Sequence, residues 1–122
     1  MKTLLVIDDD ESILSIFTMV LQHKGYTVIP APSGEAGLEL ARQRHPDLIL
    51  TDMNMPGTSG LEVLKCVKAD PELAAIPVVL ITGDEEITSA NKEGESLADG
   101  ILVKPVSLDA LVRCVEEKLS KL

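Results

Sequence analysis

Asp8 and Asp9 follow directly on the apolar run LLVI, residues 4–7. Asp52 closes a second run, LILTD, Thr82 closes a third, VVLIT, and Lys104 follows a fourth, ILV. Each is the first polar group after an apolar run or the last within it. If these runs are neighbouring strands of one parallel sheet, the five side chains converge, because sites in such sheets form outside the carboxyl ends of the strands. Three carboxylates near one point repel, and a hard cation is the natural remedy. Oxygen donors without His or Cys favour Mg²⁺, Mn²⁺ or Ca²⁺ over zinc. Three carboxylates and one ammonium leave a surplus charge that one divalent cation balances. A hydroxyl, a lysine and Mg²⁺ around a carboxylate suit phosphoryl transfer. The metal and the lysine neutralise phosphoryl oxygens, the hydroxyl hydrogen-bonds them, and the carboxylate can be the nucleophile.

Each residue alone has a plainer reading. An aspartate after a strand is commonly a helix N-cap, and Asp10 before Glu11 takes that role. A single Thr82 at a strand end is ordinary, and a single Lys104 can be a solvated charge. The joint placement of an acid pair, an acid, a hydroxyl and a lysine at four strand ends is hard to assign to chance.

The elements that must position these residues alternate along the chain. Short β-branched or Leu-rich runs cover 3–7, 27–29, 48–51, 78–82 and 101–103. Helical periodicity covers roughly 11–24, 33–44, 60–68, 85–93 and 108–119. Five strands alternating with five helices predict βα repeats around a parallel sheet. Runs apolar on both faces fit strands covered by helices on both sides. Gly25 suits the end of the first helix, and Ser33 and Ser107 suit the starts of the second and fifth. Pro46, Pro71 and Pro77 fall in connections, where a missing N–H does no harm. The 85–93 segment is the weakest helix, with few apolar residues, Asn91 inside and Gly94 at its end. It is expected to be short or mobile.

The chain has 122 residues, enough for one domain over 1–122. Phe17 and Tyr26 are its only aromatics, so the core must be aliphatic. Its formal net charge of −9 argues against a nucleic-acid surface, which needs clustered positive charge. It suits a soluble protein that binds a cation. Cys66 and Cys114 show no metal-site spacing, and both sit among apolar neighbours in helical segments. Buried reduced thiols are expected, pointing to a reducing compartment and a cytoplasmic location. An aspartate at position 8 excludes a signal peptide, and no apolar run approaches the ~20 residues of a membrane span.

The pieces VIDDDES, TDMNMPGTSG, LITGD and DGILVKP, in this order and spacing, resemble the receiver (response-regulator) domain of two-component signalling, over nearly all of the chain. The resemblance implies a flavodoxin-like α/β fold, a three-layer sandwich with strand order 2-1-3-4-5. It implies that Asp52, in D-x-x-M-P-x-x-x-G, accepts a phosphoryl group from a partner histidine on a sensor kinase or a histidine phosphotransfer protein. Asp8 or Asp9, with Asp52 and the backbone carbonyl of Asn54, would hold Mg²⁺, or Mn²⁺ in its place. Thr82 would bond the phosphoryl group and move with it, and Lys104 would pair with it. The Lys104–Pro105 peptide is expected to be cis. Asn54 and Asp84, each two residues beyond a site residue, would set the phosphoryl lifetime. Phosphorylation would alter the face formed by the 85–93 segment, the fifth strand and the last helix. Self-phosphorylation and slow dephosphorylation are implied, not turnover of a free substrate.

Some positions depart from the usual pattern. Ile101 stands where many receivers carry Tyr or Phe, Leu97 where Gly is frequent, and Val106 where Phe is common. The pocket matches the family while the output face is atypical, so the switch at Thr82 and Ile101 must work with a smaller side chain. On the first helix, Ile13, Ile16, Phe17, Val20 and Leu21 share one face and should be core. Leu14 and Thr18 lie four apart at one edge. In the family this outer surface docks the phosphodonor, so Leu14, Ser15 and Thr18 are the contact candidates. No segment follows Leu122, so the chain reads as a stand-alone receiver or as a domain cut from a longer protein.

Two other functions fit parts of the same sequence. A haloacid-dehalogenase-type phosphatase also opens with an apolar strand ending D-x-D, with Asp8 as nucleophile. The chain is short for that fold, no acidic pair follows Lys104 to complete the metal site, and Asp52 would have no role. A non-phosphorylated pseudo-receiver scaffold shares the fold, but the complete acidic set speaks against it.

Overall fold

The computed structural model describes residues 2–83 and 98–120. The apolar runs become strands because residues on both of their faces find cover. The strands are β1 (Thr3–Ile7), β2 (Thr27–Ala31), β3 (Leu48–Asp52), β4 (Val78–Thr82) and β5 (Gly100–Val103). All pairings are parallel, in the order β2-β1-β3-β4-β5. Four helices are described: α1 (Glu11–His23), α2 (Gly34–Arg44), α3 (Gly60–Ala69) and α4 (Leu108–Ser120). The expected 85–93 helix, with Gly94 and Leu97 beyond it, lies outside the described residues.

Strand side chains alternate between faces, and the core divides accordingly. Leu5, Ile7, Ile49 and Leu80 pack with Leu38 of α2 and Val63, Leu64 and Val67 of α3. Leu4, Val6, Leu50 and Ile81 pack with Phe17 and Leu21 of α1 and Leu111 and Val115 of α4. The sheet is thus the middle of three layers.

Local signals start and stop the helices. The Asp10 side chain accepts from the Ser12 and Ile13 amides, Ser33 caps α2, and Ser59 forms a reciprocal capping box with Glu62 on α3. The Ala110 amide donates to Ser107 Oγ. Gly25, at φ +98°, turns the chain out of α1 in a conformation that side chains resist.

Two expectations change. Ile16 is 47 % exposed and is not core, whereas Phe17 and Leu21 are buried. Cys66 is exposed and Cys114 only partly covered, and both are free thiols. On α3 the buried positions are Gly60, Val63, Leu64 and Val67, so Cys66 turns outward although its sequence neighbours are apolar.

Lys68 fastens the end of the molecule remote from the aspartates. Its Nζ donates to the Ala74 and Ile76 carbonyls and to Asp99 Oδ2 at 2.9–3.2 Å, and Asp99 Oδ2 also accepts from the Val78 amide. This ties the end of α3 to the starts of β4 and β5. Replacing Lys68 by Met keeps the aliphatic stem and removes all three donated bonds. The expected cost is about 1–3 kcal/mol, read as a lower midpoint in denaturant with an unchanged slope.

Candidate functional site

The parallel register brings the ends of β1, β3, β4 and β5 to one edge of the sheet. Asp8 leaves β1, Asp52 closes β3, Thr82 closes β4, and Lys104 follows β5. Asp8 and Asp52 are 2 % and 3 % exposed, while Asp9 is open to solvent. One carboxylate oxygen from each of Asp8, Asp9 and Asp52 lies within 4.8 Å of the others. Lys104 Nζ stands 2.9 Å from Asp52 Oδ1. That oxygen is buried and has no aligned hydrogen-bond donor among the described residues, so the contact is an ion pair off the hydrogen-bond axis. The Thr82 hydroxyl donates to the Gly83 carbonyl at 3.1 Å. The Lys104–Pro105 peptide is cis.

Burial drives the Asp8 carboxyl up to about 6. The Asp10 amide, which donates to Asp8 Oδ1 at 2.9 Å, pulls the other way, and so does Lys104. The Asp52 and Asp9 charges push it further up. Asp8 therefore carries its negative charge against opposition. A hard divalent cation removes that opposition, and three crowded carboxylates with one buried, poorly bonded oxygen are a donor set that fits Mg²⁺ or Mn²⁺.

The loop after β3 is held from several sides. Met55 is buried against the α2/α3 layer. Gly57 takes φ +77°, and Gly60 lies so close beneath the Asp52 carbonyl that a Cβ there would overlap it. Asn54 is exposed on this loop, and Asp84 lies outside the described residues.

The response regulator receiver domain family matches residues 4–116. The chain belongs to this family. The receiver is 35 % identical to the polar-differentiation response regulator DivK of Brucella ovis, over 97 % of this chain and 96 % of that protein. It is 38 % identical to the transcriptional regulatory protein AfsQ1 of Streptomyces coelicolor, over 94 % of this chain and 51 % of the relative. Among solved structures, the chemotaxis protein CheY4 of Vibrio cholerae aligns with a TM-score of 0.87 at 30 % identity, covering 98 % of this chain and 99 % of that one. The receiver family displaces the phosphatase alternative built on Asp8. It is a signalling family and not one of turnover enzymes. No helix among the described residues is long and apolar enough to cross a membrane.

Beside the acidic cluster the receiver has an apolar groove of about 780 Å³. Its lining includes Ile13, Ile16 and Phe17 of α1, Pro105, Val106 and Leu108 after β5, and the site residues Asp8 and Lys104. The expected contact residues stand elsewhere. Leu14 packs onto the α1/α4 core, Thr18 is half-buried, and Ser15 is exposed outside the groove. Periodicity placed Ile16 inside and Leu14 at the edge. The position of α4 reverses this, because its first turn leaves the Ile16 side of α1 uncovered. Ile101 is half-buried in β5.

Proposed function

We propose that the chain is a phosphorylatable receiver whose Asp52 takes a phosphoryl group from a phosphohistidine of a sensor kinase or histidine phosphotransfer protein. One observation carries this reading. A buried carboxylate, paired with a lysine at 2.9 Å, lies within 4.8 Å of two further carboxylates at the open end of a parallel sheet. Asp8 or Asp9, with Asp52 and the Asn54 carbonyl, would hold Mg²⁺, which when bound neutralises charge on the transferring group.

The chain's own groups supply the rest. An Asp52 carboxylate oxygen forms the new bond to phosphorus. The donor's phosphorus–nitrogen bond breaks, and its electron pair leaves with the imidazole. Lys104, already against Asp52, exchanges its carboxylate partner for phosphoryl oxygens. The Thr82 hydroxyl turns from the Gly83 carbonyl to donate to the phosphoryl group. Two placements of Thr82 that differ in energy with and without the phosphoryl group make a population shift, read out on β5 at Ile101, on α4 and on the 85–93 segment. Asn54 and Asp84, each two residues beyond a site residue, would set the lifetime. The same set makes the protein the catalyst of its own phosphorylation and of its own slow dephosphorylation.

Incubating the chain with acetyl phosphate and Mg²⁺ tests this. The expected product carries one phosphoryl group, mapped to Asp52. A protein that binds no Mg²⁺ and gains no mass is a pseudo-receiver.

The groove beside the acidic cluster suggests a further docking contact at Ile16, next to Leu14, Ser15 and Thr18. Ile16→Asp should slow transfer from the partner by about tenfold or more and leave acetyl phosphate labelling within about twofold. Equal loss in both reactions would place the effect in the fold.

A further inference from the structure

Thr51 is wholly buried, one residue before Asp52, in a strand otherwise built of Leu48, Ile49 and Leu50. Alternation puts it on the Ile49 side of the sheet, toward α2 and α3, facing away from the acidic cluster. A hydroxyl in that layer costs free energy unless it is bonded. Valine has the same shape and would fill the position without that cost. The hydroxyl donates at 3.0 Å to the carbonyl of Asp52 itself.

That carbonyl belongs to the Asp52–Met53 peptide, where the chain leaves β3. The peptide is gripped at both ends. Its N–H, from Met53, donates to the Ile81 carbonyl of β4 at 2.8 Å. Its oxygen meets the Thr51 hydroxyl and lies against the Gly60 backbone. One residue on, the Met53 carbonyl accepts from the Gly60 amide at 3.0 Å. Asp52 carries its carboxylate immediately before this peptide, and Asn54 lies two residues beyond Asp52.

We propose that Thr51 is a positioning residue, whose buried hydroxyl holds the Asp52–Met53 peptide so that the Asp52 carboxylate faces Asp8, Asp9 and Lys104. Its kinetic consequence rests on Asp52 being the acceptor, as proposed above. Its metal-binding consequence rests only on the carboxylate cluster.

The test compares Thr51→Val, which keeps shape and loses the donor, with Thr51→Ser, which keeps the donor. Two quantities are measured on folded protein: the Mg²⁺ dissociation constant by calorimetric titration, and the rate constant of labelling by acetyl phosphate at saturating Mg²⁺. Loss of one aligned hydrogen bond at a site that depends on orientation predicts about a tenfold change in each for Thr51→Val. Thr51→Ser should stay within about twofold of the original. If Thr51→Val does not fold, Thr51→Ala replaces it, since Ala and Ser both lack the methyl and differ by the hydroxyl alone. A folded Val or Ala variant that matches the original in both quantities overturns the proposal and leaves the hydroxyl a stability role only. An original protein that binds Mg²⁺ but takes no phosphoryl group overturns the receiver reaction, and the Mg²⁺ comparison still decides the role of Thr51. An original protein without Mg²⁺ binding overturns both.

Discussion

Asp52→Asn should abolish labelling by acetyl phosphate, a loss of roughly a thousandfold or more, because the variant has no carboxylate oxygen to attack phosphorus. The substitution is nearly isosteric, and it removes the buried negative charge that faces Lys104 at 2.9 Å. The fold should survive, since Asp52 is not part of the aliphatic core on either side of the sheet. Asp8→Asn gives the contrasting result. It keeps the proposed acceptor and removes one carboxylate of the cluster, so labelling should persist at a reduced rate and with a weakened Mg²⁺ dependence. Mass measurement on intact protein reads both variants. Labelling of Asp52→Asn at the original rate would remove Asp52 as the acceptor.

Asp8→Asn should also stabilise the metal-free protein above pH 6. In the folded state the Asp8 carboxyl is pushed up to about 6 by burial, from 3.8 in the unfolded chain. The folded state thus holds this proton more tightly than the unfolded state. Below pH 4 both states are protonated and the full stability is present. As pH rises from 4 through 6, the unfolded chain ionises freely while the folded one resists, and stability falls. The difference between the two values corresponds to about 3 kcal/mol at neutral pH. Asn accepts the Asp10 amide as Asp does and carries no charge, so the variant should lose this slope. At pH 7 without divalent cations its melting temperature should rise by on the order of 10 °C. Added Mg²⁺ should raise the melting temperature of the original protein and leave Asp8→Asn nearly unchanged. Parallel melting curves from pH 4 to 8 check both statements. An original protein whose stability stays flat between pH 4 and 6, or rises, would contradict the burial of a reluctant charge at Asp8.

Much of this was legible before folding. The strands were readable because central parallel strands are apolar on both faces, so LLVI, LILT and VVLI stand out from the helical periodicity around them. Their order followed only from the resemblance. The helix caps were readable because they depend on residues two or three apart, as with Asp10 and the Ser12 and Ile13 amides. Ile16 and Cys66 were misjudged for related reasons. Helical spacing shows which residues share a face but not how wide an arc the neighbouring elements cover. On α1 that width is set by α4, whose first turn leaves a groove beside Ile16. On α3 the apolar neighbours of Cys66 along the chain point a different way from it. Thr51 went unnoticed because a threonine in a strand needs no explanation from propensity. Its meaning comes from the partner of its hydroxyl.

The sequence by itself determined the chemical inventory: three carboxylates, a hydroxyl and a lysine at the ends of apolar runs, with no competing His or Cys donors. It determined the alternation of elements too, since local hydrophobic period is a property of neighbouring residues. Only the tertiary structure decided what these groups do to one another. The parallel register places oxygens of Asp8, Asp9 and Asp52 within 4.8 Å, although residues 9 and 52 are far apart along the chain. Burial turns Asp8 from an ordinary carboxyl into one that resists its charge. The Asp52 carbonyl accepts from the Thr51 hydroxyl and lies against the Gly60 backbone. Such effects depend on distance and solvent exclusion, and these exist only once the strands lie side by side.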